Sequence, residues 1–376
     1  MIQHITYEQK QTCSGCMACA RECPVQCIHP VIDEEGFLYP KVDMDECIDC
    51  DNCVKVCPFT HPDEYKSAPL KAYAAWSVDE DTRLKSATAG VFTALAAKFI
   101  KDGGVVYGAA YGEDLSLSHV RIDKISDLHR IQSSKYFQSD ITDIYESIQS
   151  DINAGLRVMV SGTGCQIAGI RAALICEDIL LVDITCLGVP SPGVFKKYKE
   201  SLEKNYGSRV TNINFRDKST GWKTYGQTVT FENGEMVSYK NDENPFMRGF
   251  LEKIYIRPSC YACPFCDTKR PGDITIGDFW GIEKTLPELD DERGVSLLYA
   301  VTEKGKEFIE SSGEIELREC AVEDTLQQSL QHPADASPKR GAFFRDYKKH
   351  GFDKLAQKYM KQRSKIVRFA VNLLKY

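Results

Sequence analysis

The sequence has no long apolar run, no apolar segment at its amino terminus and no excess of positive charge. No stretch of about 18 uncharged apolar residues occurs, and even residues 172–189 contain Glu177, Asp178 and Asp183. Residues 1–13, MIQHITYEQKQTC, lack the apolar core of a signal peptide. The chain has 47 Lys and Arg against 54 Asp and Glu, a net charge of −7. These absences argue against a membrane span, export and nucleic-acid binding, and they predict a soluble, cytoplasmic protein.

Cysteine, in contrast, is abundant. The 376 residues include 16 cysteines, most of which stand in C-x-x-C groups. Because a chain that is not exported has little use for disulfides, this grouping favours metal binding or redox chemistry. The length allows two or three domains.

An internal cysteine repeat lies near the amino terminus. Residues 13–24 read CSGCMACARECP and residues 47–58 read CIDCDNCVKVCP. Each is the C-x2-C-x2-C-x3-C-P run of bacterial ferredoxins with two 4Fe–4S clusters, in which the fourth cysteine ligates the other cluster. The predicted ligand sets are therefore Cys13, Cys16, Cys19 and Cys57 for one cluster, and Cys47, Cys50, Cys53 and Cys23 for the other. Two zinc sites are the alternative, disfavoured because both runs are complete. Cys27 is off the pattern and is interpreted as a small buried side chain.

After this repeat the pattern alternates between strands and helices. Predicted strands lie at 72–78, 105–110, 156–161 and 179–184, and predicted helices at 87–101, 145–153 and 166–174. Beyond residue 210 the sequence is richer in strands, at 212–215, 227–231 and 236–239. The last fifty residues are predicted to be helical, and residues 339–376 carry 12 Lys or Arg against two Asp. We expect this tail to pack on its own core.

A third cysteine group stands far from the repeat. Cys260, Cys263 and Cys266 form C-x-x-C-x-x-C, while Cys165 and Cys186 each follow a predicted strand. Carboxyl ends of neighbouring parallel strands meet at one sheet edge, so Cys165, Cys186 and a C-x-x-C pair can form a four-thiolate site. A structural zinc, or cysteines that never meet, remain open from spacing alone.

Small residues at strand-to-helix turns supply backbone amides for phosphate. Residues 86–90, SATAG, and residues 161–164, SGTG, both precede predicted helices, although no G-x-G-x-x-G occurs. Ordinary loops or helix caps are the alternative. Asp278 can hydrogen-bond a flavin or a cluster-bearing loop, or it can cap a turn after a strand.

Four motifs in order resemble one known family. They are SGTGCQIAG at 161–169, VDITCLGVPSP at 182–192, FRDKSTGW at 215–222, and CYAC at 260–263 followed by GDITIGDFWG at 272–281. From about Lys71 to the tail, the chain resembles the coenzyme F420 hydrogenase/dehydrogenase beta-subunit family. Three positions depart from that family's pattern: Gly164 stands where proline is usual, Leu187 where histidine is common, and residues 86–90 differ from the usual Ser-Gly-Gly-like segment. No cluster ligand is lost.

The resemblance implies FAD beside a third 4Fe–4S cluster. It places the cluster on Cys165, Cys186, Cys260 and Cys263, with Cys266 as a surplus neighbour. It places flavin contacts on Ser86, Thr88, Gly90, Ser134, Lys135, Tyr136, Ser139, Gly162, Thr163, Gly164, Gln166 and Asp278. No catalytic residue is implied.

The predicted fold class is α/β (mixed α+β), with four regions. The alternation of strands and helices supports the α/β core. The regions are a ferredoxin-like domain at 1–62, a flavin-binding α/β region at 70–155, a β-rich region with a third cluster at 156–325 and a basic helical tail at 326–376. The flavin and the third cluster in this division are implied by the resemblance.

The expected function is that of an iron–sulfur flavoprotein oxidoreductase. Electrons would pass between the ferredoxin-type clusters and a two-electron organic carrier through FAD, with coenzyme F420 or another small molecule as acceptor or donor. The alternative is a non-catalytic electron-relay subunit of a larger complex. A redox partner protein or ferredoxin is expected in either case, and a homo-oligomer is compatible with the sequence.

Overall fold

The computed structural model describes residues 9–174, 177–240 and 243–361, and its first unit is a small module built on the cysteine repeat. In chain order the module contains α1 (Ala18–Arg21), β1 (Ile28–Ile32), β2 (Leu38–Val42) and α2 (Asn52–Lys55). The residue before each helix has a left-handed backbone, with φ of 59° at Met17 and 58° at Asp51. Met17 and Asp51 occupy equivalent places in the two repeats, so the repeats share a backbone path as well as a spacing.

The rest of the chain forms an α/β core. Its elements, in chain order, are β3 (Lys71–Ser77), α3 (Glu80–Lys85), α4 (Val91–Lys101), β4 (Val105–Tyr111), β5 (Leu117–Ile122), α5 (Ile144–Asn153), β6 (Val158–Thr163), α6 (Gly164–Ala173), β7 (Ile179–Ile184), α7 (Pro192–Tyr206), β8 (Val210–Asp217), β9 (Gly226–Phe231), β10 (Met236–Tyr239), α8 (Pro245–Leu251), β11 (Ile274–Asp278), α9 (Ile282–Thr285), β12 (Ser296–Ala300), α10 (Glu303–Glu310), β13 (Ile315–Cys320), α11 (Arg340–Tyr347) and α12 (Phe352–Tyr359).

Eight strands form one mixed sheet in the order β13-β3-β12-β11-β7-β6-β4-β5. The inner strands β4, β6, β7 and β11 run parallel, whereas β3, β5, β12 and β13 add antiparallel pairings. The parallel strands are rich in Val, Ile and Leu because helices cover the sheet. Strands β8, β9 and β10 form a separate antiparallel sheet of three.

The predicted fold class is confirmed: the chain is mixed α/β with one large sheet. Predicted elements coincide closely with observed ones, and the predicted strand at 179–184 is β7 itself. The helix predicted from residue 87 begins only at Val91, because residues 86–90 form a loop that ends at Gly90 with φ of 77°. Strands β11, β12 and β13 were not predicted individually. They return to pair beside β3 and β7, so strands from both sides of residue 155 share one sheet.

The tail packs on the core as far as the structure describes it. Phe343, Phe352 and Leu355 of α11 and α12 are buried in one apolar cluster with Phe246 and Tyr255. This confirms the packing expected for residues 340–361. The remaining basic segment, 362–376, lies outside the described residues.

Among the residues that the structure describes, no helix has both the length and the apolar character needed to cross a membrane.

Candidate functional site

The first predicted cluster set is assembled inside the module. Cys13, Cys16 and Cys19 lie around α1, and Cys57 follows α2. The pKa of the Cys16 thiol is raised to about 12, chiefly by burial and in smaller part by the nearby thiols of Cys57 and Cys13. The pKa of Cys19 is likewise raised by burial and then by the other three thiols. All four predicted ligands therefore lie close together, and we call them the inner set.

The second predicted set surrounds a small cavity at the other end of the module. Cys23, Cys47, Cys50 and Cys53 all line it, and we call them the outer set. Cys50 is exposed, whereas Cys23 is buried. Cys27 lines the same cavity with its Sγ 3.5 Å from the Cys23 Sγ, so it is buried as expected but stands beside the ligands.

The third set meets at the carboxyl edge of the large sheet. In the parallel pair β6–β7, Thr163 lies opposite Ile184, so Cys165 and Cys186 leave the sheet side by side. Cys260 and Cys263 approach from a short 3-10 turn at Pro258–Ala262. After burial, the thiols of Cys260, Cys165 and Cys263 are further causes that raise the pKa of Cys186. The four cysteines named by the resemblance are thus brought together, and we call them the core set.

Hydrogen-bond donors surround the sulfur atoms of the core set. The Gly188 N–H donates to the Cys186 Sγ at 3.3 Å, and the Val189 N–H approaches the Cys260 Sγ at 3.4 Å. The Thr163 hydroxyl lies 3.3 Å from the Cys165 Sγ. Donors of this kind favour a deprotonated sulfur and are one of the means by which proteins tune iron–sulfur clusters.

Cys266 stands beside the core set. A hydrogen bond with Cys266 is the largest cause that raises the pKa of Cys263, followed by burial. Within the described ranges, no three His, Cys, Asp or Glu side chains converge as ligands of a single metal ion would. A cubane cluster uses a wider spacing, since each thiolate binds a different iron atom.

A buried ion pair supports the edge that carries the core set. Asp183, fully buried near the end of β7, accepts hydrogen bonds from the Arg270 Nε at 2.9 Å and the Thr275 Oγ1 at 2.8 Å. Asp273 is also buried and accepts from the Leu181 N–H at 2.8 Å. Asp183 and Asp273 therefore join β7 to β11, which explains much of the distinctive string at 272–281 in structural terms.

A cleft lies at one side of the core and contains two of the predicted flavin contacts, Ser134 and Lys135. Its volume is about 330 Å³. Its other lining residues are Lys85, Tyr111, His129, Arg130, Gln132, Ser133, Asn212, Ile213 and Asn214. The sequence interpretation missed these residues, although the basic and polar run at 129–135, HRIQSSK, could have indicated them.

Lys135 is the most unusual cation in this cleft. Its Nζ donates to the backbone oxygens of Gln132 at 3.0 Å and Ser133 at 3.4 Å, and it forms no ion pair with a carboxylate in the described part of the chain. Burial lowers the pKa of Lys135 to about 7. The Ser133 hydroxyl is buried without a hydrogen-bond partner among these residues. A cation and a hydroxyl in this condition suit an anionic group such as phosphate.

The other predicted flavin contacts lie at the edge of the cleft or away from it. Ser86 borders the cleft, because the Gln132 amide donates to its hydroxyl at 2.9 Å. Thr88 donates to Asp278 at 2.7 Å, next to Gly90. The remaining contacts, namely Tyr136, Ser139, Gly162, Thr163, Gly164 and Gln166, are not among the residues that line the cleft.

Asp278 links three segments of the protein by hydrogen bonds. Its Oδ1 accepts from the Thr88 hydroxyl at 2.7 Å, the Arg216 guanidinium at 2.9 Å and the Trp222 indole at 3.1 Å. Trp222 also stacks on Trp280 with ring centroids 4.9 Å apart. Asp278 therefore ties the 86–90 loop to β8, which is a structural role; its contact with flavin stays a prediction.

Residues 162–166 span the end of β6 and the first turn of α6, beside the core set. Thr163 and Gln166 form a capping box, in which the Thr163 N–H donates to the Gln166 Oε1 at 3.1 Å. The Gln166 amide also donates to the Ser139 oxygens at 3.1 Å. Tyr136 packs edge-on against Phe215 at 5.7 Å. The capping box and the Ser139 contact hold the first turn of α6, which carries Cys165, in place.

Comparison with known proteins identifies two regions of the chain. Residues 12–60 match the 4Fe-4S dicluster domain, and residues 155–323 match the family described as the C terminus of the coenzyme F420 hydrogenase/dehydrogenase beta subunit. A curated protein of Porphyra purpurea, an uncharacterized protein in the rpl9-rpl11 intergenic region, is 36% identical over 53 residues, which are 13% of this chain and 67% of that protein. A chain of the F420-reducing NiFe hydrogenase complex from Methanosarcina barkeri is similar with a TM-score of 0.47 and 18% identity, over 78% of this chain and 92% of that one.

Proposed function

Because the chain combines a 4Fe-4S dicluster domain with a region, residues 155–323, that matches the C terminus of the coenzyme F420 hydrogenase/dehydrogenase beta subunit, we propose that it is a flavin-dependent oxidoreductase. That it is an iron–sulfur protein with a redox role follows from the two regions themselves. The finer proposal is that electrons pass between its clusters and a two-electron organic carrier bound in the core. When bound, the clusters would supply one-electron steps, and FAD would exchange electrons singly or in pairs.

One observation carries this proposal: the three thiol sets are neighbours. The outer and inner sets are linked through Cys53, whose charge contributes to raising the pKa of Cys19, after burial and the inner thiols. The inner and core sets are linked through α6, which carries Cys165, because the Cys16 side chain packs against Gly169 of that helix. A continuous series of thiols therefore runs from the surface at Cys50 to the sheet edge in the core. Short steps between redox sites are what electron transfer requires.

The cleft supplies the groups that a flavin dinucleotide needs. Lys135 and Arg130 would hold the phosphates by charge, and Ser133 and Ser134 would donate hydroxyl hydrogen bonds. Lys135 binds such an anion as a cation, so it would keep its proton while the ligand is present. Tyr111, whose ring lies 5.6 Å from the Lys135 Nζ, offers an aromatic wall.

A redox partner would dock at the outer set. Cys50 is exposed there, and it is flanked by Ile48, which is 60% exposed, and by the carboxylates of Asp49 and Asp51. An apolar centre with an acidic rim fits a partner protein that presents a basic face. The identity of the small-molecule carrier, coenzyme F420 or another, is left to experiment.

A second candidate function is an electron-relay subunit without its own substrate. It is favoured by the positions of the predicted flavin contacts. Only Ser134 and Lys135 line the cleft, and the Asp278 Oδ1 already accepts three protein hydrogen bonds. In that case the cleft would bind no flavin, whereas the thiol sets would still hold clusters.

Anaerobic purification, reconstitution and chemical analysis separate these functions. We expect about twelve iron and twelve sulfide atoms per chain from three four-iron clusters, together with one flavin. Recovery of only eight iron atoms would refute the third cluster. One equivalent of zinc in addition would indicate a zinc site in its place. Twelve iron atoms without any flavin after incubation with FAD would favour the relay subunit.

A further inference from the structure

A buried arginine with no carboxylate partner among the described residues lies where the module meets the core. Arg257 is 1% exposed and stands three residues before Cys260. Its Nε donates to the Cys13 carbonyl at 2.8 Å and its Nη2 to the Leu38 carbonyl at 2.9 Å, both in the module. Its Nη1 donates to the Gln138 side chain of the core at 2.7 Å. All three nitrogens of the guanidinium are thus hydrogen-bonded across the junction.

The surroundings of Arg257 complete this junction. The Gln138 amide donates to the Ser14 carbonyl at 2.8 Å, so both sides of the hydrogen-bond network reach the loop of the inner set. The Arg257 guanidinium also lies 4.0 Å from the centre of the Tyr39 ring. A Cβ at Gly15 would lie only 2.9 Å from the Arg257 Nη2, and Gly15 has φ of +70°. The inner loop is therefore shaped around the guanidinium.

The charge of Arg257 is not balanced within the described part of the protein. Its three acceptors are neutral oxygens, and no ion pair joins it to any carboxylate of the described ranges. A buried charge without a counter-charge is costly, so proteins seldom keep one. The loops of two thiol sets adjoin this cation directly: the Arg257 Nε donates to the Cys13 carbonyl of the inner set, and the Arg257 carbonyl accepts from the Cys260 N–H of the core set at 2.9 Å.

We propose that Arg257 is a positioning residue whose counter-charge is the pair of iron–sulfur clusters bound by the inner and core sets. It fixes the Cys13 loop against the core and supplies one buried positive charge to both neighbouring sites. Because a cluster gains negative charge when it is reduced, this cation favours the reduced form of both. The core half of the inference rests on the proposed third cluster, whereas the inner half does not.

Arg340 provides a matched control. It is also a buried arginine that joins the module to the rest of the chain, but its guanidinium pairs with the Glu35 carboxylate, at 2.8 Å for one of the two hydrogen bonds. The double variant E35Q/R340Q removes an ion pair that joins the module to the rest of the chain, and it leaves the charge beside the thiol sets unchanged. It reports what loosening the junction does without altering the field at the clusters.

The test is a redox titration of the reconstituted full-length chain, followed by electron paramagnetic resonance. At a fixed applied potential, R257Q should lower the ratio of reduced to oxidised inner cluster on the order of ten-fold. R257K keeps the charge and should stay close to the unmodified protein, and E35Q/R340Q should not shift the ratio. The C50S substitution removes a ligand of the outer set and so identifies the resonance signal of the cluster bound there. R257Q should leave that signal nearly unchanged.

Several results would overturn the proposal. One is an R257Q protein that binds iron normally with an unshifted inner cluster; another is R257K with the same shift as R257Q. If R257Q binds no iron, iron binding by R257K supports the counter-charge. If neither variant binds iron while E35Q/R340Q binds it normally, the role of Arg257 is purely structural and the proposal fails. An iron content of eight would refute the third cluster separately, since the inner cluster can still be titrated.

Discussion

The module and the core bring cysteines together in different ways. In the module, eight predicted ligands come from two runs of eleven residues, 13–23 and 47–57, and the cysteines themselves form much of the buried interior. In the core, the four cysteines come from three segments spread over residues 165–263, and a sheet with its own apolar interior brings them to one edge. Besides its cysteines the module buries only a few apolar side chains, which pack in clusters shared with the core, whereas the core also has an apolar cluster of its own.

This difference concerns how each site depends on its metal. A domain of about sixty residues is only marginally stable by burial of apolar surface, so metal clusters that cross-link it add a large share of its stability. Thiols packed together without metal also lose solvation, as the raised pKa values of Cys16 and Cys19 indicate. We therefore expect the module to fold with its clusters and the core to fold before its cluster.

Removal of iron gives the largest expected effect on this comparison. After anaerobic treatment with a strong chelator, residues 13–60 should lose most of their protection while the central sheet keeps its own, because metal binding and folding are coupled only in the module. Hydrogen exchange with mass spectrometry, before and after chelation, measures both regions in one sample. Equal loss of protection in the module and in β6–β7 would show that the two regions do not differ in this way.

The second prediction concerns the ligands of the core. Cys263→Ala should remove about four of twelve iron atoms and slow flavin reduction, while leaving the unfolding of the sheet nearly unchanged. Cys266→Ala is the matched control, three residues away in the same loop, and should change neither quantity. Loss of iron in Cys266→Ala but not in Cys263→Ala would mean that the ligand assignment is displaced by three residues.

The third prediction is a pH dependence at Lys135. Its pKa in the folded chain is about 7, below the value of about 10.4 in an unfolded chain. The folded state then binds fewer protons between those values, so the ligand-free chain should become more stable as the pH rises from about 7 to about 10. Flavin or inorganic phosphate binds the protonated form, so its affinity should fall several-fold over the same range.

The control for that prediction is Lys85, another cation of the cleft, which is paired with Asp81. Lys135→Ala should flatten both pH profiles, whereas Lys85→Ala should weaken binding modestly and leave the profiles in place. Thermal unfolding and isothermal titration calorimetry provide the two measurements. A Lys135→Ala profile identical to that of the unmodified chain would assign the pH dependence to another group.

The smallest effect is expected at the carboxyl terminus. Deletion of residues 362–376 should leave the iron content unchanged, because the buried residues of α11 and α12 remain. Sedimentation with anionic vesicles should be the same for the intact chain and the truncated chain. The deletion should begin after residue 361, because Met360 is fully buried and its carbonyl accepts from Arg248 at 2.8 Å. Salt-sensitive vesicle binding by the intact chain that disappears on truncation would contradict this.

Most of the module could be predicted from the sequence. Two or three residues separate neighbouring cysteines of a run, so local backbone geometry brings three ligands of each set together, and the ferredoxin pattern assigns the fourth ligand from the other run. The hairpin between them is equally local, with Gly36 at φ of 84° in its turn. The strands β4, β6 and β7 were also predictable, since buried parallel strands are continuous apolar runs.

The tertiary structure alone decided which distant residues meet. Lys85 and Asn212 line one cleft although more than a hundred residues separate them, and nothing in the local pattern of either indicates the other. Strands β12 and β13 both pair with β3, although that strand lies near the beginning of the core sequence and most of the other core elements come between them. The role of Arg257 emerged in the same way, since its acceptors lie mostly in the module and its neighbours in two thiol sets. Local spacing fixes chemistry that needs only adjacent residues, whereas burial and charge balance depend on which loops the folded sheet brings together.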